Sequence, residues 1–177
     1  AGLPVIADNT FGTPYLFDAK AHGIDIVVHS LTKYIGGHGN SVGGSVTDLG
    51  TFSFRGNERF AEFNTPDASY HGLVYADLDG GRGYIAKLRA GFLRDTGGCL
   101  SPFNAFLLML GVETLSLRME RHCQNTLAIT RWLKAHPQVA WVNYPGLEGD
   151  KYHARAQKYF PKGAGGIFAF GVKGGLE

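Results

Sequence analysis

The chain has 177 residues, 44% apolar and 18% charged, enough for one full hydrophobic core and typical of a soluble globular protein. Lys and Arg number 17 against 15 Asp and Glu, an excess of 2 that is too small to point to nucleic acid or an anionic membrane as partner. No stretch approaches the ~18 apolar residues of a membrane span, and the longest, Phe103 to Leu110, is interrupted by Asn104. Nothing at the N-terminus has the pattern of a signal peptide.

Two cysteines, Cys99 and Cys123, do not make a disulfide framework, and the seven histidines never fall at zinc-ligand spacing. A reducing, cytoplasmic setting and no metal centre are the expectation. The 26 glycines follow no period, so collagen-like and low-complexity architectures are excluded.

In chain order, Leu3 to Ala7 and Ile24 to Val28 are short runs rich in β-branched residues, as in strands of a parallel sheet buried on both faces. Between them Tyr15 to His22 has the length of a short helix, closed by Gly23. Strand, helix, strand predicts a parallel pair in a three-layer, mainly parallel α/β core, with ligands gathering beyond the carboxyl ends of the strands. Gly36 to Gly44 is a glycine-rich loop from which Gly44-Ser45-Val46-Thr47 can leave as another short strand. The polar and aromatic stretch from Asp48 to about Gly98 reads as an insertion, weakly patterned up to Gly81 and helical from Tyr84 to Arg94. Ser101-Pro102 has the cap and first-turn chemistry of a helix start, with an expected break near Gly111. Thr114 to Ala135 then predicts a long amphipathic helix carrying Leu115, Leu117, Met119, Leu127, Ile129, Trp132 and Leu133, stopped by Pro137. Val139 to Val142 reads as a strand, Lys151 to Tyr159 as a helix and Ile167 to Gly171 as a strand. The change of pattern places a domain boundary within residues 111 to 120, giving 1–112 and 113–177.

Beyond the ends of the first two strands lie Asp8, in Ala7-Asp8-Asn9-Thr10, and Lys33, in Ser30-Leu31-Thr32-Lys33-Tyr34-Ile35-Gly36-Gly37-His38-Gly39. One amine, one carboxylate, two hydroxyls and several glycines suit pyridoxal phosphate. That cofactor takes a lysine on its aldehyde, an acid that keeps its ring nitrogen protonated, and small donors for its phosphate. Each residue also has an ordinary reading: a strand-end lysine can be solvated, and a strand-end aspartate can cap the next turn. Ser30-Leu31-Thr32-Lys33 also fits the S-x-x-K of serine acylases, but the S-D-N and K-T-G partners are missing and the serine follows a strand. Gly81-Arg82-Gly83-Tyr84-Ile85-Ala86 fits G-x-G-x-x-A without a strand to feed it. His38 suits a loop or an anion contact equally. Arg118 and Arg121, with Glu113 and Glu120, read as a solvated helix face with local ion pairs.

Three segments carry a family resemblance: Ala7-Asp8-Asn9-Thr10-Phe11 with Thr13-Pro14-Tyr15, His29 to His38, and Leu115-Ser116-Leu117-Arg118-Met119-Glu120-Arg121-His122. Together they resemble the Cys/Met-metabolism family of pyridoxal phosphate enzymes. The Asp48 to Gly98 insertion, Leu93-Arg94-Asp95-Thr96-Gly97 and Pro161-Lys162-Gly163-Ala164-Gly165-Gly166 are most similar to its O-acetylhomoserine sulfhydrylase branch. The resemblance implies fold type I, the aspartate aminotransferase-like fold, with residues 1–112 as the second half of the cofactor domain and 113–177 as the start of the smaller one. It implies that Lys33 is the catalytic lysine joined to pyridoxal 5'-phosphate, that Asp8 pairs with the ring nitrogen, and that Ser30 and Thr32 bind the phosphate. The implied reaction is γ-replacement, in which sulfide displaces acetate from O-acetyl-L-homoserine to give L-homocysteine. Cystathionine γ-synthase, methionine γ-lyase and a non-catalytic assembly segment are the alternatives.

Members of this family are considerably longer. The chain opens Ala1-Gly2-Leu3 without methionine, and the regions for ring stacking, a neighbouring subunit's phosphate and the substrate carboxylate have no counterpart in it. The expectation is a middle segment, inactive alone, that works with the remaining segments of its own chain in a homo-oligomer, a tetramer built as a dimer of dimers.

Overall fold

A computed structural model describes residues 2–78 and 80–175. Its centre is a three-stranded sheet of β1 (Ile6–Asp8), β2 (Ile26–Ser30) and β3 (Gly44–Asp48), in that order. β1 and β2 are parallel, with Ile6 opposite Ile26 and Asp8 opposite Val28, as the strand-helix-strand pattern predicts. β3 returns antiparallel, Val46 opposite Val28 and Gly44 opposite Ser30, because a loop of thirteen residues (31–43) contains no crossover helix to turn the chain round again.

The connection from β1 to β2 is not one helix. It forms α1 (Thr13–Leu16), an extended break at Phe17, and a 3₁₀ turn (Lys20–His22) ended by Gly23 at φ 73°. Thr13, fully buried, has φ 56°, a backbone region costly for a β-branched residue. Asn9 holds it from both sides: the Thr13 amide donates to the Asn9 carbonyl (2.8 Å), and Asn9 Nδ2 donates to the Thr13 carbonyl (3.0 Å).

The 48–98 region is better ordered than its weak pattern suggests. α2 (Ala61–Asn64), α3 (Arg82–Leu88), a π turn (Arg89–Leu93) and α4 (Arg94–Thr96) enclose an aromatic core of Phe54, Phe63, Tyr75 and Ala90. Phe54 and Phe63 stack at 4.2 Å, and Asp67 receives the buried Tyr75 hydroxyl (2.7 Å) together with the Ser69 amide and hydroxyl (2.9 and 2.7 Å). A packed set of rings has no sequence period, which is why periodicity does not find it.

α5 (Pro102–Glu113) begins as expected, the Ser101 hydroxyl accepting from the Asn104 amide (3.1 Å). It runs on through Gly111, since that glycine is where the helix meets the backbone of Ile35 and Gly36; a Cβ there would run into the Gly36 carbonyl. α6 (Leu115–Ala135) buries Leu115, Met119, Cys123, Thr126, Thr130 and Leu133, each three or four residues from the next. Leu117, Ile129 and Trp132, expected on the core face, are exposed, and two threonines take their place; the Thr130 hydroxyl donates to the Thr126 carbonyl (2.7 Å). β4 (Val139–Asn143) and β5 (Ala169–Val172) form a separate antiparallel pair, joined through α7 (His153–Tyr159). Leu115, Met119 and Cys123 share one core with Leu16 and Ile35, so the long helix is packed directly against the elements that follow β1 and β2. No described helix is long and apolar enough to cross a membrane.

Candidate active site

The parallel register puts Asp8 and Ser30 at the same, carboxyl, end of adjacent strands, with Lys33 three residues beyond. The link between the strand ends is Thr10, a buried residue that sequence reading leaves without a role. Its Oγ1 accepts the Ser30 amide (2.8 Å), its own amide donates to Asp8 Oδ1 (2.9 Å), and its hydroxyl also bonds to the Asp8 side chain. These side-chain and backbone hydrogen bonds from Thr10 hold the Asp8 carboxyl below its usual range, with a smaller contribution from His29. Asp8 is therefore an exposed, fixed carboxylate. Its spacing, Asp-x-Thr at a strand end, is the signal that could have revealed Thr10.

Lys33 is exposed and, among the described residues, its amine has no hydrogen-bond or ion-pair partner. It sits on a tight turn: its amide donates to the Ser30 carbonyl (3.3 Å), Gly36 to Leu31 (2.8 Å) and Gly37 to Lys33 (2.8 Å). Among the described residues the Ser30 hydroxyl is also without a partner. Thr32 differs, for its hydroxyl is tied to Gly43, accepting the amide (3.1 Å) and facing the carbonyl (3.3 Å), which closes the glycine loop back onto the turn. His38 contacts the Gly36 carbonyl through Nδ1 (2.7 Å), a local loop contact.

Asp8 and Lys33 thus stand on an open surface, whereas the sequence expectation has them flanking one cavity. A hollow of about 850 Å³ lies on the other side of the sheet, bounded by Val27, His29, Thr47, Asn9 and Tyr15. Strand alternation explains this: Val27 and His29 point away from the face shared by Asp8, Val28 and Val46. His29 is buried there with Nε2 unpaired, and burial keeps its imidazole below the usual histidine value.

The largest departure from expectation is Arg118. It is not a solvated member of helix-face ion pairs. Its guanidinium donates to the carbonyls of Tyr34 (2.7 Å), Ile35 (3.2 Å) and Gly111 (2.7 Å) and to the Thr114 hydroxyl (3.0 Å), and burial pulls it below the usual arginine value. The two ion pairs seen among the described residues, Arg55–Asp77 and Arg94–Asp95, lie elsewhere, so Glu113, Glu120 and Arg121 form none. Tyr34, next to Lys33, is wedged between the rings of Phe11 and His122, and Gly166 of the Pro161–Gly166 loop lies against its hydroxyl.

The donor set fits pyridoxal phosphate: among the described residues, an unpaired amine, a carboxylate without an ion-pair partner and an unpartnered hydroxyl, at or just beyond the ends of two parallel strands. Comparison with known proteins agrees. The model of the Cys/Met metabolism PLP-dependent enzymes matches residues 1–177. The chain belongs to this family. It is 50% identical over 179 residues to a homocysteine synthase of Schizosaccharomyces pombe, covering 100% of this chain and 42% of that protein. To an O-acetyl-L-homoserine sulfhydrylase of Leptospira meyeri it is 49% identical, covering 99% of this chain and 42% of the relative. The crystal structure of a protein of Campylobacter jejuni, provisionally assigned as an O-acetylhomoserine (thiol)-lyase and holding a pyridoxyl-lysine phosphate, superposes with a TM-score of 0.91 at 41% identity, over 97% of this chain and 43% of that one. The fold is therefore that of a pyridoxal phosphate enzyme of this family, and pyridoxal phosphate is its cofactor. The chain spans less than half the length of these relatives.

Proposed function

We propose that the complete protein containing this chain is an O-acetylhomoserine sulfhydrylase: O-acetyl-L-homoserine and sulfide give L-homocysteine and acetate. The observation that carries this reading is Asp8 and Ser30 at the carboxyl ends of neighbouring parallel strands, tied together through Thr10, with Lys33 three residues beyond Ser30. The names of the relatives at 49–50% identity support the substrate pair.

Pyridoxal phosphate, when bound, supplies an electron sink for negative charge that develops next to the substrate amine. Lys33 Nζ would hold the cofactor and, when free, would be the base that takes the proton from the substrate's Cα and moves one at Cβ as acetate departs. That work requires it neutral when free, since an ammonium cannot accept a proton. Asp8, whose ionised form the Thr10 hydrogen bonds favour, would accept the hydrogen bond of a protonated ring nitrogen and stabilise that charge. The Ser30 hydroxyl, unpartnered among the described residues, would be a donor to the phosphate. The Thr32 hydroxyl would have to turn its proton away from the Gly43 carbonyl to donate there, a contact long enough to be given up easily. In the same proposal residues 1–112 belong to the cofactor domain and 113–177 to the smaller one, and the complete protein is a homo-oligomer.

The test is an assay of the complete protein with O-acetyl-L-homoserine and sulfide. Homocysteine formation at a higher kcat/KM than cystathionine formation or methionine breakdown is expected. Faster release of 2-oxobutyrate from methionine would overturn the γ-replacement assignment.

A further inference from the structure

The turn that carries Lys33 leaves two backbone carbonyls, those of Tyr34 and Ile35, to which no backbone amide among the described residues donates. Both are met by a side chain from 84 and 83 residues further along, the Arg118 guanidinium in the first turn of α6. The same group holds the Gly111 carbonyl in the last turn of α5, where unpaired carbonyls and the helix dipole favour a cation. Its planar fork reaches three carbonyls on two separate elements, and Nε is fixed in turn by the Thr114 hydroxyl.

The local sequence leaves space for this arrangement. Gly37 has φ 71°, and a Cβ on it would strike the guanidinium, while one on Gly111 would strike the Gly36 and Ile35 carbonyls. Among the described residues Arg118 has no carboxylate partner, so its charge is met by the dipoles of the turn and the helix end.

We propose that Arg118 is a positioning residue for the reaction: by fixing the Tyr34 and Ile35 carbonyls against α5 it sets the shape of the turn from which the Lys33 amine is presented. The inference rests on the reading of Lys33 as the attachment point. It separates two roles at one turn, Lys33 doing the chemistry and Arg118, reaching in from α6, fixing where it stands without touching substrate or cofactor.

The complete protein, stripped of cofactor, allows a test with two readouts. One is amide hydrogen exchange at residues 33–37, with β4 and β5 as an internal reference. The other is the rate at which added pyridoxal phosphate labels Lys33, trapped by borohydride and located by peptide mass. In Arg118→Ala, exchange at 33–37 should rise at least tenfold and Lys33 labelling should slow at least tenfold, while the reference strands keep wild-type protection. Arg118→Lys keeps the charge but not the fork, so it should show both effects; it also serves if Arg118→Ala does not fold. A folded Arg118→Lys that is labelled at the wild-type rate overturns the positioning role. Wild-type protein that takes no label at Lys33 overturns the cofactor reading and this inference with it, whereas equal labelling of wild type and variants overturns the inference alone.

Discussion

In the proposed site Asp8, Thr10 and Lys33 have separable roles, and single substitutions should expose them. Asp8→Asn keeps the shape of the strand end but not the charge, so exchange of the substrate's Cα proton should slow by on the order of 100-fold. Near-normal exchange would remove Asp8 from the reaction. Thr10→Val conserves volume yet takes away the acceptor of the Ser30 amide and the hydroxyl's contact with the Asp8 carboxylate. An unsatisfied buried amide costs about 1–3 kcal/mol, so hydrogen exchange at Ser30 should quicken. The native Asp8 pKa is depressed by Thr10, which makes the carboxylate available above its native pKa and lost as pH falls through it. Without the hydroxyl that pKa moves up, and the acid limb of cofactor affinity should shift to higher pH. An unmoved acid limb would mean that Thr10 does not tune Asp8. Residue types alone point to Asp8, Lys33, Ser30 and Thr32, whereas Arg118 and Thr10 act through backbone groups that become neighbours only once the chain is folded.

Local elements give two further expectations. An alanine in a helix interior ordinarily gains about 1 kcal/mol over glycine, but at Gly111 the added carbon meets the Gly36 and Ile35 carbonyls, which are backbone and cannot rotate away. Overpacking of that kind costs about 1–3 kcal/mol, so Gly111→Ala should lower stability in denaturant unfolding; a gain would show that α5 and the Lys33 turn can separate freely. In the aromatic core, hydrogen bonds from Tyr75 and Ser69 hold Asp67 down to about 2. A carboxyl lowered in the native state adds stability above its unfolded value and loses it as pH falls through the native one. Protection of the 48–98 region should therefore persist at pH 4 and fail toward pH 2, and Asp67→Asn should abolish that acid step. The elements that sequence shows well carry a local signal: the β-branched runs of the β1–β2 pair, the period of α6, and the cap at the start of α5. Those it shows poorly owe their form to contacts: the break at Phe17, where the ring stacks on Phe160 (5.3 Å) and His22 (5.3 Å), and the antiparallel β3.

For the whole molecule, the arrangement is a small sheet whose strand ends carry the proposed site, with α5 and α6 packed against the turn that follows β2. α5 is apolar almost all round, and Phe103, Phe106 and Met109 are 67%, 52% and 64% exposed, a surface of the kind that binds other protein. Residues 1–177 by themselves should accordingly bind a hydrophobic dye strongly, and the complete protein much less; equal dye binding would mean that α5 stays uncovered. The family is legible from motifs spread along the chain, and the open surface around Lys33 is not, because it depends on which groups face the same side of the sheet. The central claim is that Lys33 carries the cofactor. Borohydride reduction of the complete protein loaded with pyridoxal phosphate, followed by peptide mass analysis, tests it most directly. The expected result is a pyridoxyl phosphate adduct on the peptide containing Lys33, absent from Lys33→Ala; an adduct on another lysine, or one that persists in Lys33→Ala, would contradict it.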